Sequence, residues 1–222
     1  MSTAPNSTNN KSERTRQRIL DAAARTFRDK GYAATTLNDI ANAARLRAGS
    51  IYYHFESKEQ ILEEVFDIGI KRISDAVIRD VGALPDDAPP SEKIRVGMET
   101  HLRTLLQHGP YASANIRVFG QSPRSVQLKT MRLREVYEDF WRDLFTEARE
   151  AGEIERNFDL SLIRMFLFGA LNWTVEWYKP GKRTLSEFAE EVWTVLFHGV
   201  GSNPATHDDQ TLPELPEELP ER

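Results

Sequence analysis

The side chains able to do chemistry in this chain are few and widely spaced. Its five histidines, at positions 54, 101, 108, 198 and 207, show no metal-ligand spacing, and there is no cysteine for thiolate ligands, disulfides or thiol catalysis. Gly199-Val200-Gly201 lacks the third glycine, the preceding strand and the following helix of a dinucleotide loop. No Gly-x-Ser-x-Gly elbow occurs. No catalytic constellation stands out, so an enzyme is not expected, and no cofactor is expected either. What remains is a cluster of hydroxyl, aromatic and basic side chains between Thr35 and Lys58, a mixture suited to phosphates and base edges.

The elements that must position this cluster can be read locally. Thr36 followed by Asp39 is an N-cap signature, and Leu37, Ile40, Ala41 and Ala44 recur at helical spacing. The run breaks at Arg45-Leu46-Arg47. A second short helix, Ala48 to Phe55, places Ile51, Tyr52 and Phe55 on its inner side and Arg47, Gly49, Ser50, Tyr53 and His54 on its outer side. Two helices this short, joined by a three-residue turn, form a helix-turn-helix, in which the second helix enters the major groove of DNA.

Three stretches carry a family resemblance: Thr36-x-x-x-Ile40-Ala41-x-x-Ala44, then Gly49-Ser-Ile-Tyr-Tyr-His-Phe55, then Ser57-Lys-Glu-x-Ile-Leu62. Together they resemble the TetR family of transcriptional regulators, over about Arg14 to Phe66. The resemblance implies an all-α fold, with an N-terminal three-helix DNA-binding domain and a C-terminal helical ligand-binding and dimerisation bundle. It further implies a homodimer, formed through the two C-terminal helices, that reads a palindromic operator. Ser50, Tyr53 and His54 would lie over base edges or phosphates. Thr36, Arg47 and Lys58 would hold the backbone, Lys58 matching the family's phosphate-contacting lysine. Two positions depart from the pattern. Arg45 replaces the usual turn glycine, where a side chain makes a left-handed conformation costly. Arg47 replaces the usual hydroxyl cap. Each arginine either reaches a phosphate or guanine edge or is a solvated surface charge.

Charge supports this reading. Residues 1–60 hold ten Lys/Arg against six Asp/Glu, a net +4, whereas the remainder carries -9 of the overall -5. A basic head and an acidic body suit a protein that meets phosphates at one end. The N-terminus has no apolar signal region, and the longest apolar run, Met165 to Leu171, is too short to span a bilayer. A soluble, cytoplasmic protein with no membrane partner is expected.

Residues 1–11 read as a disordered arm, residues 12–60 as the DNA-binding domain with its motif at 36–55, residues 61–201 as the body, and residues 202–222 as a disordered, Pro- and Glu-rich acidic tail. Helix 1 is expected from Ser12 to Lys30, ended by Gly31, with Arg14, Arg16 and Arg18 in its first turns. Ser57-x-x-Gln60 caps a long helix running towards Val81, whose tilt can move the head. Helices follow at about 91–108, 110–121 and 124–151, the last with an apolar stripe of Leu128, Met131, Leu133, Val136, Phe140, Trp141, Leu144 and Phe145. Asp159 to Lys179 holds Met165-Phe-Leu-Phe168, apolar all round and so expected to be buried all round. The last helix opens at the Thr184-x-x-Glu187 box and shows two apolar faces.

The resemblance places an effector inside the body. Candidate lining residues are Phe119, Trp141, Phe168, Trp173 and Trp177, each of which serves equally well in core or dimer packing. The stretch Gly169 to Gly181 resembles a branch of the family whose effectors include acyl-CoA thioesters. Such a ligand needs an apolar tunnel and cations for its phosphates, for which Arg103, Arg117, Lys129, Arg132 and Arg134 are available. The expected function is a ligand-responsive repressor released from a palindromic operator by a small hydrophobic effector. The alternative is a helical ligand-binding or interaction module without DNA binding.

Overall fold

Nine α-helices and one 3-10 turn make up the described residues of the computed structural model, which are 7–179, 181 and 184–198, and no strand occurs among them. The tail at 202–222 and the first six residues of the arm lie outside them. α1 (Ser7–Ala34) starts five residues earlier than expected, so residues 7–11 of the predicted arm are helical. Its inward row Ile19, Leu20, Ala23 and Phe27 is fully buried. Gly31 takes φ 76, ψ 170 and kinks the helix, but the chain recovers one further turn instead of stopping there.

α2 (Leu37–Ala43) and α3 (Ala48–His54) pack on α1 through Ile40, Ala41, Ile51 and Phe55. Tyr52 does not join them. It is 63% exposed, because a seven-residue helix has one buried row and Ile51 fills it. α4 (Lys58–Gly82) then runs through both halves of the molecule. Ile61, Leu62, Val65 and Phe66 complete the head core, while Ile73, Val77 and Val81 enter the body core. Packing is therefore continuous across residue 60, and the two cores share one helix.

The body is α5 (Pro90–Gln107), α6 (Gly109–Val118), the 3-10 turn at Phe119–Gln121, α7 (Arg124–Glu150), α8 (Leu160–Trp177) and α9 (Leu185–His198). Trp141 of α7 is the largest fully buried side chain. It is accommodated because position 97 on α5 is glycine: a Cβ there would lie 2.9 Å from the indole ring. The apolar stripe of α7 differs from the expected one in its first half. Val126, Thr130 and Tyr137 face inward, while Leu128, Met131 and Val136 are exposed. A helix offers one inward row, and the deep Trp141, Leu144, Phe145 and Ala148 extrapolate back to 137, 134, 130 and 126.

α8 also departs from expectation. Only Leu160, Leu167, Leu171 and Thr174 are buried, and Met165 and Phe166 are 69% and 66% exposed. The protomer covers only part of this helix's circumference and leaves both of these side chains open. α9 is capped by reciprocal bonds between Thr184 and Glu187. It docks on α5 through buried Ala189 and through Trp193, whose Nε1 donates to the Ser91 carbonyl at 3.2 Å.

Candidate DNA-reading face and body cavity

The turn between α2 and α3 is a complete Schellman arrangement. Leu46 N–H donates to Ala41 O (2.9 Å) and Arg45 N–H to Asn42 O (3.0 Å), and Arg45 sits at φ 53. The left-handed position that the missing glycine pointed to is therefore present, and an arginine occupies it. Arg18 adds a bond to the Ala44 carbonyl at 2.7 Å, satisfying another C-terminal acceptor of α2. At the other end Thr36 and Asp39 form the expected capping box, and the Lys30 ammonium on Asp39 holds that carboxyl far below its usual range.

α3 presents an outward surface with little else to do. Tyr53 is 80% exposed and touches His54 edge-on at 5.0 Å. A Cβ on Gly49 would meet nothing within 4 Å, so the protein itself does not require glycine there. Arg47 is the N-cap of α3 but makes no side-chain capping bond, and it is exposed. Ser50 is half-buried on the same helix. Tyr52, expected inside, joins this surface. Two predicted contact residues are engaged within the head. The Thr36 hydroxyl bonds Asp39, and the Lys58 ammonium donates to Tyr32 O (3.0 Å) and Thr35 O (2.8 Å) while resting on the Tyr32 ring at 4.1 Å. Lys58 thus closes the end of α1, with one of its three N–H donors remaining. Of the early arginines, Arg16 pairs with Glu64 and Arg18 with the Ala44 carbonyl, leaving Arg14 exposed.

A half-open cavity of about 690 Å³ is set into the body, walled by α4, α5, α6, α7 and α8. Phe119 and Phe168 line it. Trp141 stands one layer behind, edge-on to Phe168 at 5.4 Å. Trp173 and Trp177 do not reach it: they are 59% and 50% exposed, and Trp177 packs on Phe188 instead. The helical period explains this, since Ser161, Arg164, Met165, Phe168 and Asn172 form the cavity face of α8 and positions 166, 173 and 177 fall on the opposite one. The five body cations do not converge. Arg103 pairs with Asp80, Arg117 with Glu176 and Lys129 with Glu63; of the five, only Arg134 lines the cavity.

Apart from Arg134, the polar lining was missed from sequence. Buried His101 bridges Tyr137 Oη (Nδ1, 2.9 Å) and Asn172 Oδ1 (Nε2, 3.1 Å). With the carbonyl oxygen of Asn172 facing Nε2, that nitrogen carries the proton and Nδ1 accepts from the tyrosine hydroxyl. Burial lowers the imidazole pKa to about 4, against a smaller opposing effect from Asn172, so the ring is neutral near neutral pH. A signal existed: His101 sits in the apolar row Ile94, Met98, Leu105 of α5.

Asn115 connects the cavity to the head. Its Nδ2 donates to Phe66 O on α4 and Tyr111 O on α6, both at 3.2 Å, and its oxygens accept from Arg134. The approach requires Gly69, where a Cβ would lie 2.5 Å from that amide nitrogen. One turn back along α6, the Tyr111 hydroxyl donates to Asp21 Oδ1 of α1 (2.6 Å) and accepts from Gln17 Nε2 (3.0 Å).

A surface-exposed second helix on a capped helix-turn-helix, joined by one long helix to a helical body with a half-open cavity, is the architecture of a DNA-binding regulator with room for a ligand. Residues 19–65 match the bacterial regulatory proteins of the tetR family, and residues 87–200 match the tetracyclin repressor-like C-terminal domain. The chain belongs to the TetR family of transcriptional regulators. It is 29% identical over 172 residues to the HTH-type transcriptional repressor KstR2 of Mycolicibacterium smegmatis, covering 75% of this chain and 80% of the relative. The TetR family transcriptional regulator PfmR of Thermus thermophilus superposes with TM-score 0.71 at 29% identity, over 82% of this chain and 98% of that one. AibR, in complex with isovaleryl coenzyme A and operator DNA, superposes with TM-score 0.70 at 27% identity, again over 82% and 98%.

Proposed function

We propose that this regulator acts in the cytoplasm as a homodimer on a palindromic operator, and leaves it when a small hydrophobic acyl compound enters the body cavity. The observation that carries the reading is the cavity wall itself. It includes Gly69, Ile70 and Ile73 of α4, the helix whose first half is built into the DNA-reading head. A ligand that prefers one arrangement of α4 against α6 and α7 therefore biases the separation of two heads, which is a population shift. Outward Tyr53, His54 and Ser50, with Tyr52, supply groups for base edges, and Arg47 and Arg45 supply charge for phosphates. Lys58 serves first as a helix clamp, with its remaining donor available to a phosphate.

The bare side of α8 supports the dimer. Leu162, Phe166, Trp173 and Trp177 are at least half exposed, and Phe166 continues into an apolar groove with Val192, Val195 and Leu196 of α9. An apolar face of this kind on two adjacent helices suits an isologous four-helix contact. Similarity to AibR, solved with isovaleryl coenzyme A, favours an acyl thioester as the ligand form.

Fluorescence anisotropy on DNA from upstream of the protein's own gene tests the reading. Acyl-CoA thioesters and matching free acids are titrated into the complex. Release by an acyl compound is expected; tight binding with no release by any of them refutes the effector assignment. Binding that does not weaken steeply with salt refutes DNA recognition altogether.

A further inference from the structure

Among the shielded polar groups of the cavity wall, Arg134 is the one whose hydrogen bonding is left open. His101, Tyr137 and Asn172 satisfy one another. The Arg134 guanidinium carbon lies over the Phe119 ring, 3.9 Å from its centroid, and its Nη2 makes only long bonds to Asn115 O (3.4 Å) and Oδ1 (3.3 Å). Its Nε is fully shielded and makes no hydrogen bond, and Nη1 makes none among the described residues. Arg164, the other arginine on this wall, has no such shielded and unbonded atom. Burial also disfavours the charged form of Arg134. The body cations Arg103, Arg117 and Lys129 each hold a carboxylate. Arg134 makes no hydrogen-bonded ion pair among the described residues, although Glu138 stands one turn along on the same wall. A shielded, always-charged group without a bonded anion is costly, and the cost is removed by whatever brings one. Phe119 steadies the guanidinium from one side, and the unbonded Nη1 with the weakly held Nη2 are the donors a carboxylate would take.

We propose that Arg134, steadied by Phe119 and Asn115, is the seat of a carboxylate on the effector's hydrocarbon frame. This rests on the reading of the cavity as the effector site. The carboxylate comes either from a free acid or from the far end of a dicarboxylic acyl group held as a thioester. Because Asn115 also bonds Phe66 O of α4, a carboxylate drawing the guanidinium towards itself loosens Arg134 from Asn115 and is felt at the helix that carries the head.

The test is calorimetry on the full-length protein, so that operator binding is not the readout. The probes are straight-chain and ring-bearing carboxylic acids from hexanoate to dodecanoate, their methyl esters, the matching monocarboxylic acyl-CoAs and the mono-CoA thioesters of the matching dicarboxylic acids. Acids, or dicarboxylic thioesters, are expected to bind about tenfold or more tightly than the neutral esters or monocarboxylic thioesters of the same frame. Which of the two wins identifies the source of the carboxylate. Arg134→Met should abolish that preference, and Arg134→Lys should retain part of it, with helicity and thermal unfolding confirming that each variant folds. Esters and monocarboxylic thioesters binding as well as the carboxylates would overturn the proposal while leaving the acyl effector intact. Failure of every acyl compound to bind would overturn both.

Discussion

Replacing Arg45 separates two things that this side chain does at once. At φ 53 it bears the steric strain of a left-handed conformation in a Schellman turn, which glycine adopts without strain. For an L-residue that strain costs about 1–2 kcal/mol. Glycine loses about 0.5–1 kcal/mol of this advantage through the greater freedom of its unfolded chain. Arg45→Gly should therefore be more stable than Arg45→Ala by about 1 kcal/mol, a difference of about 2–4 °C in melting temperature for a chain of this size. Both variants lose the guanidinium equally, so any effect on DNA must be common to them. If Arg45 meets a phosphate, both should lose affinity and lower the salt slope of operator binding by about 1. Thermal unfolding of the two variants and anisotropy at several salt concentrations give the two answers. Equal stability of the glycine and alanine variants would refute the strain argument. Unchanged salt slopes would return Arg45 to the solvated surface.

Tyr53→Ala should weaken operator binding by about 1–3 kcal/mol in anisotropy while moving stability by less than about 0.5 kcal/mol, because the ring is 80% exposed. His101 makes stability pH-dependent. The unfolded imidazole protonates near its ordinary 6.5 and the folded one only near 4, so stability is full above pH 6.5 and falls towards pH 4. Denaturant titrations should show a loss of about 2 kcal/mol between about pH 7 and pH 5, and His101→Gln should flatten that slope. Phe166→Glu should give a folded monomer by sedimentation velocity and weaken binding to a palindromic site more than to a half-site; an unchanged dimer would remove α8 from the interface. Tyr111→Phe leaves the Gln17–Asp21 bond in place, so it should cost only about 1 kcal/mol of stability. It should nevertheless reduce effector-driven release in anisotropy, with calorimetric affinity for the effector retained.

The head was legible in the sequence because its signals are local. Caps at Thr36 and Ser57, the apolar row Ile40-Ala41-Ile51-Phe55 and the turn position of Arg45 each depend on residues within a few places of one another. The helices of the body were legible for the same reason, to within a residue or two at most ends. Which side of each helix faces what was not. Tyr52, Leu128, Met131 and Val136 satisfied an apolar pattern and are exposed, because a pattern gives a stripe its period and not its neighbour. Trp173 and Trp177 looked like pocket residues on composition, yet the rotation of α8 turns them outward and brings Phe168 and Asn172 to the cavity. How the polar lining pairs could be found only in three dimensions. His101, Asn115, Arg134, Tyr137 and Asn172 come from four helices spread over seventy-one residues, and none of their pairings is closer than nineteen positions in the chain. Short-range hydrogen bonding and periodicity determined what the elements are; long-range packing decided where the cavity lies, which side chains line it, and which helix spans both it and the head.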